Sequence, residues 1–440
     1  MKILYIAQYF PPEVCALAVR AHDLSQEWAR AGHEVSVLTG FPNHPEGVIH
    51  PSYRRAWRRG FSREERGGVA VYRTWLYPAA NRGVWGRSAN YVSFALSAAL
   101  VGMRAAGERT VVIATSPPLT AALAGYAAAR ARGVPFVFEV RDLWPESLEA
   151  VGVASPRSFL YRSLERAARF LYARADRIVV DGEWKQRALA ASGFGEKITV
   201  IRNGVAENFC LAPGSPQARA AREQFRSAHG LAGKFVALYC GTLGMAHGLE
   251  VVLDAAARLR DRAEIVFLLA GGGAERENIC RRLRESGLTS VRYLGKQPRE
   301  NVPGLLAAAD ACLVPLRSSE VFKSAIPSKT FEAMAAARPV ILGVEGETKE
   351  IVLEAGAGLC VAPGDAEALA SAVIRLQQNP DLRRKLGANG RRAVLATYTR
   401  RRQASAYVDL LNELAAARLE RLPASPLAAR RPISAQPLGE

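Results

Sequence analysis

The chain has 440 residues and a formal charge of +18, with 49% hydrophobic and 23% charged residues and a pI near 10.0. It is too long for one ordinary core, and it calls for two domains of about 200 residues in a soluble globular protein. No zinc pattern, RNA-binding signature or basic helix-turn-helix accompanies the charge, which argues against a nucleic-acid partner and leaves an anionic membrane surface or an arginine-rich genome as its source.

Cys15, Cys210, Cys240, Cys280, Cys312 and Cys360 are scattered. None has metal-ligand or redox spacing, so reduced, mostly buried thiols in a cytoplasmic protein are expected. The opening MKILYIAQYF reads as a strand rather than a leader, and no run reaches the roughly 18 to 20 apolar residues of a membrane span.

Short β-branched or apolar runs between Gly, Pro or polar turns predict strands at Lys2–Phe10, Glu34–Gly40, Val69–Trp75, Thr110–Ser116, Pro135–Leu143, Arg177–Asp181 and Ile198–Val205. Helical patterns separate most of them, which is the βαβ alternation of a doubly wound parallel sheet. The turn after the first strand, QYFPPEVCALAVR, has no GxGxxG, which counts against a dinucleotide-dependent dehydrogenase. In PSYRRAWRRGFSREER, Tyr53, Trp57 and Phe61 recur every fourth position, so a helix here carries an aromatic stripe flanked by Arg54, Arg55, Arg58 and Arg59. Such a face suits an anionic membrane surface; a solvated loop is the alternative. A second candidate for membrane contact, Arg87 to Arg109, is apolar in its middle, basic near its ends and too short to span, and a core helix packed on the sheet is its first reading.

A connector is expected over residues 206–233, where LAPGSPQARAAREQFRSAHGLAG has loop residues and a weak helix. The theme then repeats with strands at Phe235–Cys240, Ile265–Ala270, Val291–Gly295, Ala311–Leu316, Pro339–Val344 and Gly358–Val361. The expected organisation is therefore a domain over 1–205, the connector, a second domain over 234–398, a helix over 399–422 and a disordered Pro-, Ala- and Arg-rich tail over 423–440.

The stretch FKSAIPSKTFEAMAAARPVIL, Phe322 to Leu342, carries the chemistry. Pro327 sets a turn, Ser328 is a candidate N-cap, and a helix follows. Its first turn offers free N–H groups, the positive end of the helix dipole, Lys329, and Glu332 as a hydroxyl acceptor. That pattern fits a nucleoside diphosphate, while a cap and a first-turn glutamate serving stability alone remain the other reading.

PSKTFEAMAAARPVI resembles the signature segment of the retaining glycosyltransferases of family 4, which have the GT-B fold. Further similarity lies in YFPPEVCALAVRAHDLSQEWARAGHEVSVLTGFPNHPEG, EVRDLWPES, IRNGV, GTLGMAHGLE, AGGGAE and ADACLVPL. Together they point to the branch that builds bacterial O-antigen, capsule and colanic acid, including N-acetyl-L-fucosamine transferases. The resemblance implies an α/β chain of two Rossmann-like, doubly wound parallel-sheet domains facing a central cleft. The first domain would bind the acceptor, the second the donor nucleotide, and the last helix would cross back to the first domain. It also implies transfer of a sugar from a nucleotide-sugar, UDP-linked and with N-acetylated sugars among the candidates, to a glycan on a polyprenyl diphosphate. The nucleotide-sugar is a substrate, and no resident cofactor is implied. A nucleotide-sugar epimerase and a non-catalytic nucleotide-sugar-binding protein are the alternatives.

By the same resemblance, Glu332 matches the glutamate that binds the donor ribose. Its family partner falls on Ser324, which leaves Lys323, Ser328 or Lys329 to serve the donor sugar. Gly241, Thr242 and His247 lie in the diphosphate loop, where Thr242 and His247 replace family cations and Lys329 is the substitute. Gly271 and Gly272 suit close approach to a nucleotide or a tight turn. Leu294, Gly295 and Lys296 stand where backbone groups meet the base. Across the cleft, Asp142 is the candidate acceptor of the hydroxyl proton and Arg141 a phosphate contact, with a plain ion pair between them as the other reading. Glu13 is a candidate for sugar hydroxyls, and Cys15 stands where relatives have glycine. No DxD triplet ends a strand, so metal-independent transfer by a peripheral protein on the inner face of the cytoplasmic membrane is expected.

Overall fold

In the computed structural model, which describes residues 1–421 apart from 81, 82, 108, 109, 151 and 208, every predicted strand forms and the strands gather into two sheets. The tail expected over 423–440 lies outside the described residues. The first unit runs β1 (Lys2–Ile6), α1 (Ala16–Arg30), β2 (Glu34–Gly40), α2 (Arg54–Arg58), β3 (Phe61–Arg66), β4 (Val69–Thr74), α3 (Val84–Ala105), β5 (Thr110–Ser116), α4 (Leu119–Arg132), β6 (Phe136–Val140), α5 (Glu146–Ala150), α6 (Phe159–Arg174), β7 (Arg177–Val180), α7 (Glu183–Leu189) and β8 (Ile198–Val200). The second runs α8 (Pro216–Ala228), β9 (Phe235–Cys240), α9 (Glu250–Arg258), β10 (Ile265–Ala270), α10 (Arg276–Ser286), β11 (Val291–Tyr293), α11 (Val302–Ala308), β12 (Ala311–Pro315), α12 (Ser328–Ala335), β13 (Val340–Gly343), α13 (Glu347–Glu354), β14 (Gly358–Cys360), α14 (Ala366–Gln378) and α15 (Pro380–Thr397), and α16 (Arg400–Arg421) follows.

The strand orders are β3-β4-β2-β1-β5-β6-β7-β8 and β11-β10-β9-β12-β13-β14. All neighbours are parallel except β3 and β4. Strands such as β5, β6 and β10 are buried at every position, because helices cover both faces of each sheet, and that is why they read as unbroken apolar runs. The order reverses at β1, between β2 and β5, and at β9, between β10 and β12. Ligands of open parallel sheets bind outside the carboxyl ends of the strands at such points.

The expected aromatic helix is corrected by the structure. Gly60, at φ +82°, ends α2 after Arg59, and FSREER forms β3, antiparallel to β4. Phe61 therefore belongs to a strand. Tyr53 turns inward, its hydroxyl donating to Glu64 (2.9 Å) and its ring lying under the Arg73 guanidinium at 4.5 Å. Trp57 donates to the Leu76 carbonyl (2.9 Å) and stacks on Trp75. Arg54, Arg55, Arg58 and Arg59 remain exposed.

Within residues 206–233, α8 is tied to the second unit by Arg222 and Arg226, which both pair with Asp310. The chain crosses between units at Asn203–Val205 and again at Thr399–Arg400, where Val205 bridges Thr399. A Cβ on Gly204 would lie 2.8 Å from the Thr399 carbonyl, so only glycine lets the crossings pack. Helix α16 then returns to the first unit. Its Tyr407, Leu410 and Leu411 are buried among Tyr5, Trp28 and Val37, and Trp28 donates to the Ala404 carbonyl (3.2 Å). Tyr407 also donates to Glu139 (2.5 Å), a buried carboxylate at the end of β6 that accepts from Tyr5 and Arg20 as well. Burial opposes its ionisation, but Arg20 and then Arg141 outweigh that and hold its pKa at about 2.

Candidate functional site

The stretch from β12 through α12 meets the loop after β9 at the second switch point. Helix α12 begins at Ser328 with Pro327 as its cap residue, because the Pro327 carbonyl already accepts from the Thr330 amide (3.0 Å). Ser328 is thus the first helical residue, not the cap that its sequence suggests, and its hydroxyl caps nothing. The Ser328 and Lys329 amides have no backbone acceptor among the described residues.

Lys329 reaches from this first turn back to the β9 loop. Its Nζ donates to Tyr239 Oη (2.7 Å) and lies 4.1 Å from the centre of the same ring, and Tyr239 Oη donates to the Thr242 carbonyl (2.5 Å). A Cβ on Gly241 would meet Lys329 Cε and Nζ at 3.1 and 3.2 Å, so glycine leaves room for the lysine. Burial lowers the Lys329 pKa to about 7. His247 is half-buried at the same loop, with Nδ1 unpartnered, and burial followed by the Lys329 charge holds its pKa well down, so it is neutral. Gly241, Thr242, His247 and Lys329 are therefore brought together, with one shared cation.

Glu332 is half-buried one turn further along α12, and its carboxylate makes no hydrogen bond or ion pair among the described residues. Burial raises its pKa, opposed by Arg299, Lys329 and Arg400. A free carboxylate held near three cations can accept from hydroxyls of a ligand. Lys323, by contrast, pairs with Glu320 (2.7 Å), and the Ser324 hydroxyl is spent on the Val321 carbonyl (2.8 Å).

The glycines after β10 serve the protein itself. A Cβ on Gly271 would lie 1.8 Å from the Gly241 carbonyl oxygen, and one on Gly273 would lie 2.4 Å from that of Leu243, so the two loops pack backbone on backbone. Gly272 has only ordinary contact with Lys296. Gly295 accepts from the Gly271 amide (2.8 Å), the Leu294 carbonyl accepts from Gln297 (2.6 Å), and Lys296 is exposed, 3.6 Å from Glu46 of the first unit.

On the facing wall, Arg141 follows β6 with Nε and Nη1 buried and unpartnered, so the plain Arg141–Asp142 ion pair does not form. Asp142 is exposed beside Lys185, Arg141 and Asp181. Partial desolvation by the surrounding side chains raises its pKa, opposed by Lys185 and then Arg141. Glu13 requires a correction. It is buried, accepting from the amides of Phe10 (3.3 Å), Asn43 (3.0 Å) and His44 (2.9 Å), so its carboxylate serves chiefly to fasten its own loop rather than standing open to a sugar. Cys15 is half-buried at the start of α1, and burial raises its thiol pKa to about 12.

The sequence pattern missed the residues that join the two walls. Lys185 Nζ is buried, pairing with Asp181 (2.5 Å) and donating to the Ser324 carbonyl of the second unit (2.9 Å). Glu347, also buried, crosses the other way and accepts from the amides of Glu183 (2.8 Å) and Trp184 (3.1 Å) at the start of α7. The four-residue interval from Asp181 to Lys185 was the only signal for the first pair. Nothing in EGETKE marks Glu347 as a cap for a distant helix.

Two family models divide the chain, the glycosyl transferase 4-like domain over residues 16–204 and the glycosyl transferases group 1 over 221–393. WbjE of Pseudomonas aeruginosa, named as a glycosyltransferase, is 30% identical over 54% of this chain and 59% of its own length, so the match leaves two fifths of that relative uncovered. WcaI of Escherichia coli (strain K12), named for glycosyl transfer in colanic acid biosynthesis, is 25% identical over 85% of this chain and 91% of its own. Among solved structures, sucrose-phosphate synthase from Thermosynechococcus elongatus superposes with a TM-score of 0.74 at 21% identity, covering 95% of this chain and all of that one. Anabaena HepE, solved in complex with UDP, gives 0.65 at 18%, covering 94% and 100%. At such identities the likeness concerns the fold.

Proposed function

The chain belongs to the glycosyltransferases of the family 4 type, with the GT-B fold, and from that premise we propose that it moves a sugar, with retention of configuration, from a UDP-sugar to a glycan carried on a polyprenyl diphosphate. The observation that carries this reading is the group at the β9/β12 switch point: the α12 first turn, Lys329 held beside Gly241, and the unbonded Glu332. The first turn and Lys329 suit the diphosphate and Glu332 the ribose hydroxyls. UDP is the chosen nucleotide because HepE, of the same fold, was solved with it. WcaI's name supports a place in surface polysaccharide synthesis.

We assign the acceptor to residues 1–205 and the donor to 234–398. In the reaction, the bond between the sugar C1 and the diphosphate oxygen breaks, UDP leaves with the electron pair, and the acceptor oxygen bonds to C1 on the same face. The acceptor proton passes to Asp142, and Arg141 contacts a phosphate of the acceptor or donor. Lys329 and the helix start meet the charge that grows on UDP, so the transfer needs no divalent cation. Among the described residues no helix is long and apolar enough to cross a membrane. A lipid-linked acceptor places the protein peripherally on the inner face of the cytoplasmic membrane.

Turnover of a UDP-, GDP- and dTDP-sugar panel, with and without EDTA, tests the reading together with calorimetry. Lys329→Ala and Glu332→Gln are each expected to weaken UDP binding by about 1 to 3 kcal/mol. Unchanged affinity in both variants removes this site.

A further inference from the structure

Among the described residues, no element covers the outer face of α3. One side of the helix packs Phe94, Ala98 and Gly102 against the sheet, while Trp85 (90% exposed), Val92 (49%), Leu96 (65%) and Leu100 (58%) line the opposite side. These positions fall on one helical stripe, so the apolar side chains form a continuous band. Trp75 and Tyr77 extend it, both more than a third exposed, and the segment carrying them is fastened along α3 by Ser97 Oγ donating to the Trp75 carbonyl (2.5 Å) and by the Tyr77 amide donating to Ser93 Oγ (2.8 Å).

Arginine borders this band on the α2 side, and further arginines stand beyond α4 on the other. Trp75 stacks on Trp57 of α2, which places exposed Arg54, Arg55, Arg58 and Arg59 beside it. On the same face of the sheet α3 packs on α4 and α4 on α6, where Arg162, Arg166 and Arg169 are exposed. None of these seven arginines forms an ion pair among the described residues. Exposed apolar patches of this kind are rare on soluble monomers, and one flanked by unpaired cations matches an apolar layer beneath anionic headgroups.

We propose that this helical layer is a docking surface for an anionic lipid bilayer, with the α3 band entering the acyl boundary and the arginines of α2 and α6 meeting headgroup phosphates. The inference rests on the lipid-linked acceptor proposed above, and it moves the centre of the membrane contact from Tyr53 and Trp57, which turn inward, to α3.

Flotation of the full chain with phosphatidylcholine vesicles, with and without about 30 mol% phosphatidylglycerol, tests it. Wild-type protein is expected to float with the anionic vesicles at low salt and to be released at high salt. Leu96→Asp/Leu100→Asp is expected to reduce flotation at least about tenfold while leaving UDP affinity and the thermal midpoint unchanged, because both side chains point away from the core. A variant that floats like wild type overturns this surface and leaves the membrane reading standing. Wild-type protein that floats with no vesicle overturns both. A wild-type dimer that the variant converts to a monomer in light scattering shows a self-interface and also overturns the proposal.

Discussion

At the scale of single residues, Lys329 is held where burial works against its charge, and this makes donor binding pH-dependent. Its pKa in the free protein is about 7. A bound diphosphate stabilises the ammonium and raises that value, so above about pH 7 binding must take up a proton. UDP affinity is expected to fall by up to about tenfold per pH unit there, well above the ionisation of the terminal phosphate near pH 6. Calorimetry across pH 6.5 to about 9 should show this slope in the wild type and a flat profile in Lys329→Met. The folded-state pKa is depressed, so the unfolded chain holds more protons between about 7 and the ordinary lysine value of 10.5, and the ligand-free fold gains stability as pH rises through that window. Asp142→Asn is expected to cut turnover with nearly unchanged UDP affinity, measured by steady-state kinetics beside calorimetry; normal turnover would remove it from the chemistry. Lys329 and Glu332 were legible because both lie within one helical turn of a recognisable start. Lys185 and Glu347 were not, since a charged residue is buried by partners far away in the chain, and Glu13 shows the converse: a loop glutamate that looks available is consumed by backbone amides.

Among elements, the strands were legible and the helix starts less so. Two-sided burial writes itself as an apolar run, but β3 is an edge strand whose positions alternate exposed and half-buried, and the last four residues of FSREER are charged. Four neighbouring arginines then looked like the flank of a helix that Gly60 in fact terminates. The start of α7 was invisible for another reason: its acceptor comes from α13. Gly182 makes this possible, because a Cβ there would lie 2.2 Å from Glu347 Oε2. Gly182→Ala and Glu347→Ala are each expected to cost about 1 to 2 kcal/mol in denaturant unfolding, the usual range for a lost N-cap. The double variant should cost no more than the worse single one, because both remove the same cap; additive losses would show two independent effects.

For the whole molecule, the return of α16 makes the first unit's core depend on the last helix. Tyr407 puts a hydroxyl onto Glu139, whose other donors come from β1 and α1. Tyr407→Phe is expected to lower the unfolding free energy by about 1 to 3 kcal/mol, since a buried carboxylate loses one donor. Equal stability would show that Arg20 and Tyr5 suffice. Glu139 has a folded pKa near 2, below its ordinary 4.5, so its contribution is complete above about pH 4.5 and is lost as pH falls toward 2. The crossing itself was legible as a final amphipathic pattern and a resemblance, whereas the carboxylate beneath it was not, because its donors are scattered over the chain.

Two buried links between the units lie on one flank. Lys185 grips the Ser324 carbonyl and Glu347 grips α7 beyond β7 and β13, while the opposite flank, beyond β2 and β11, is spanned by the exposed Lys296–Glu46 pair at 3.6 Å. The cleft thus has a jamb and a latch. Separating the walls about the β7/β13 flank breaks two ion pairs among the described residues on the other side, Lys296–Glu46 at 3.6 Å and Arg299–Asp23 at 3.3 Å.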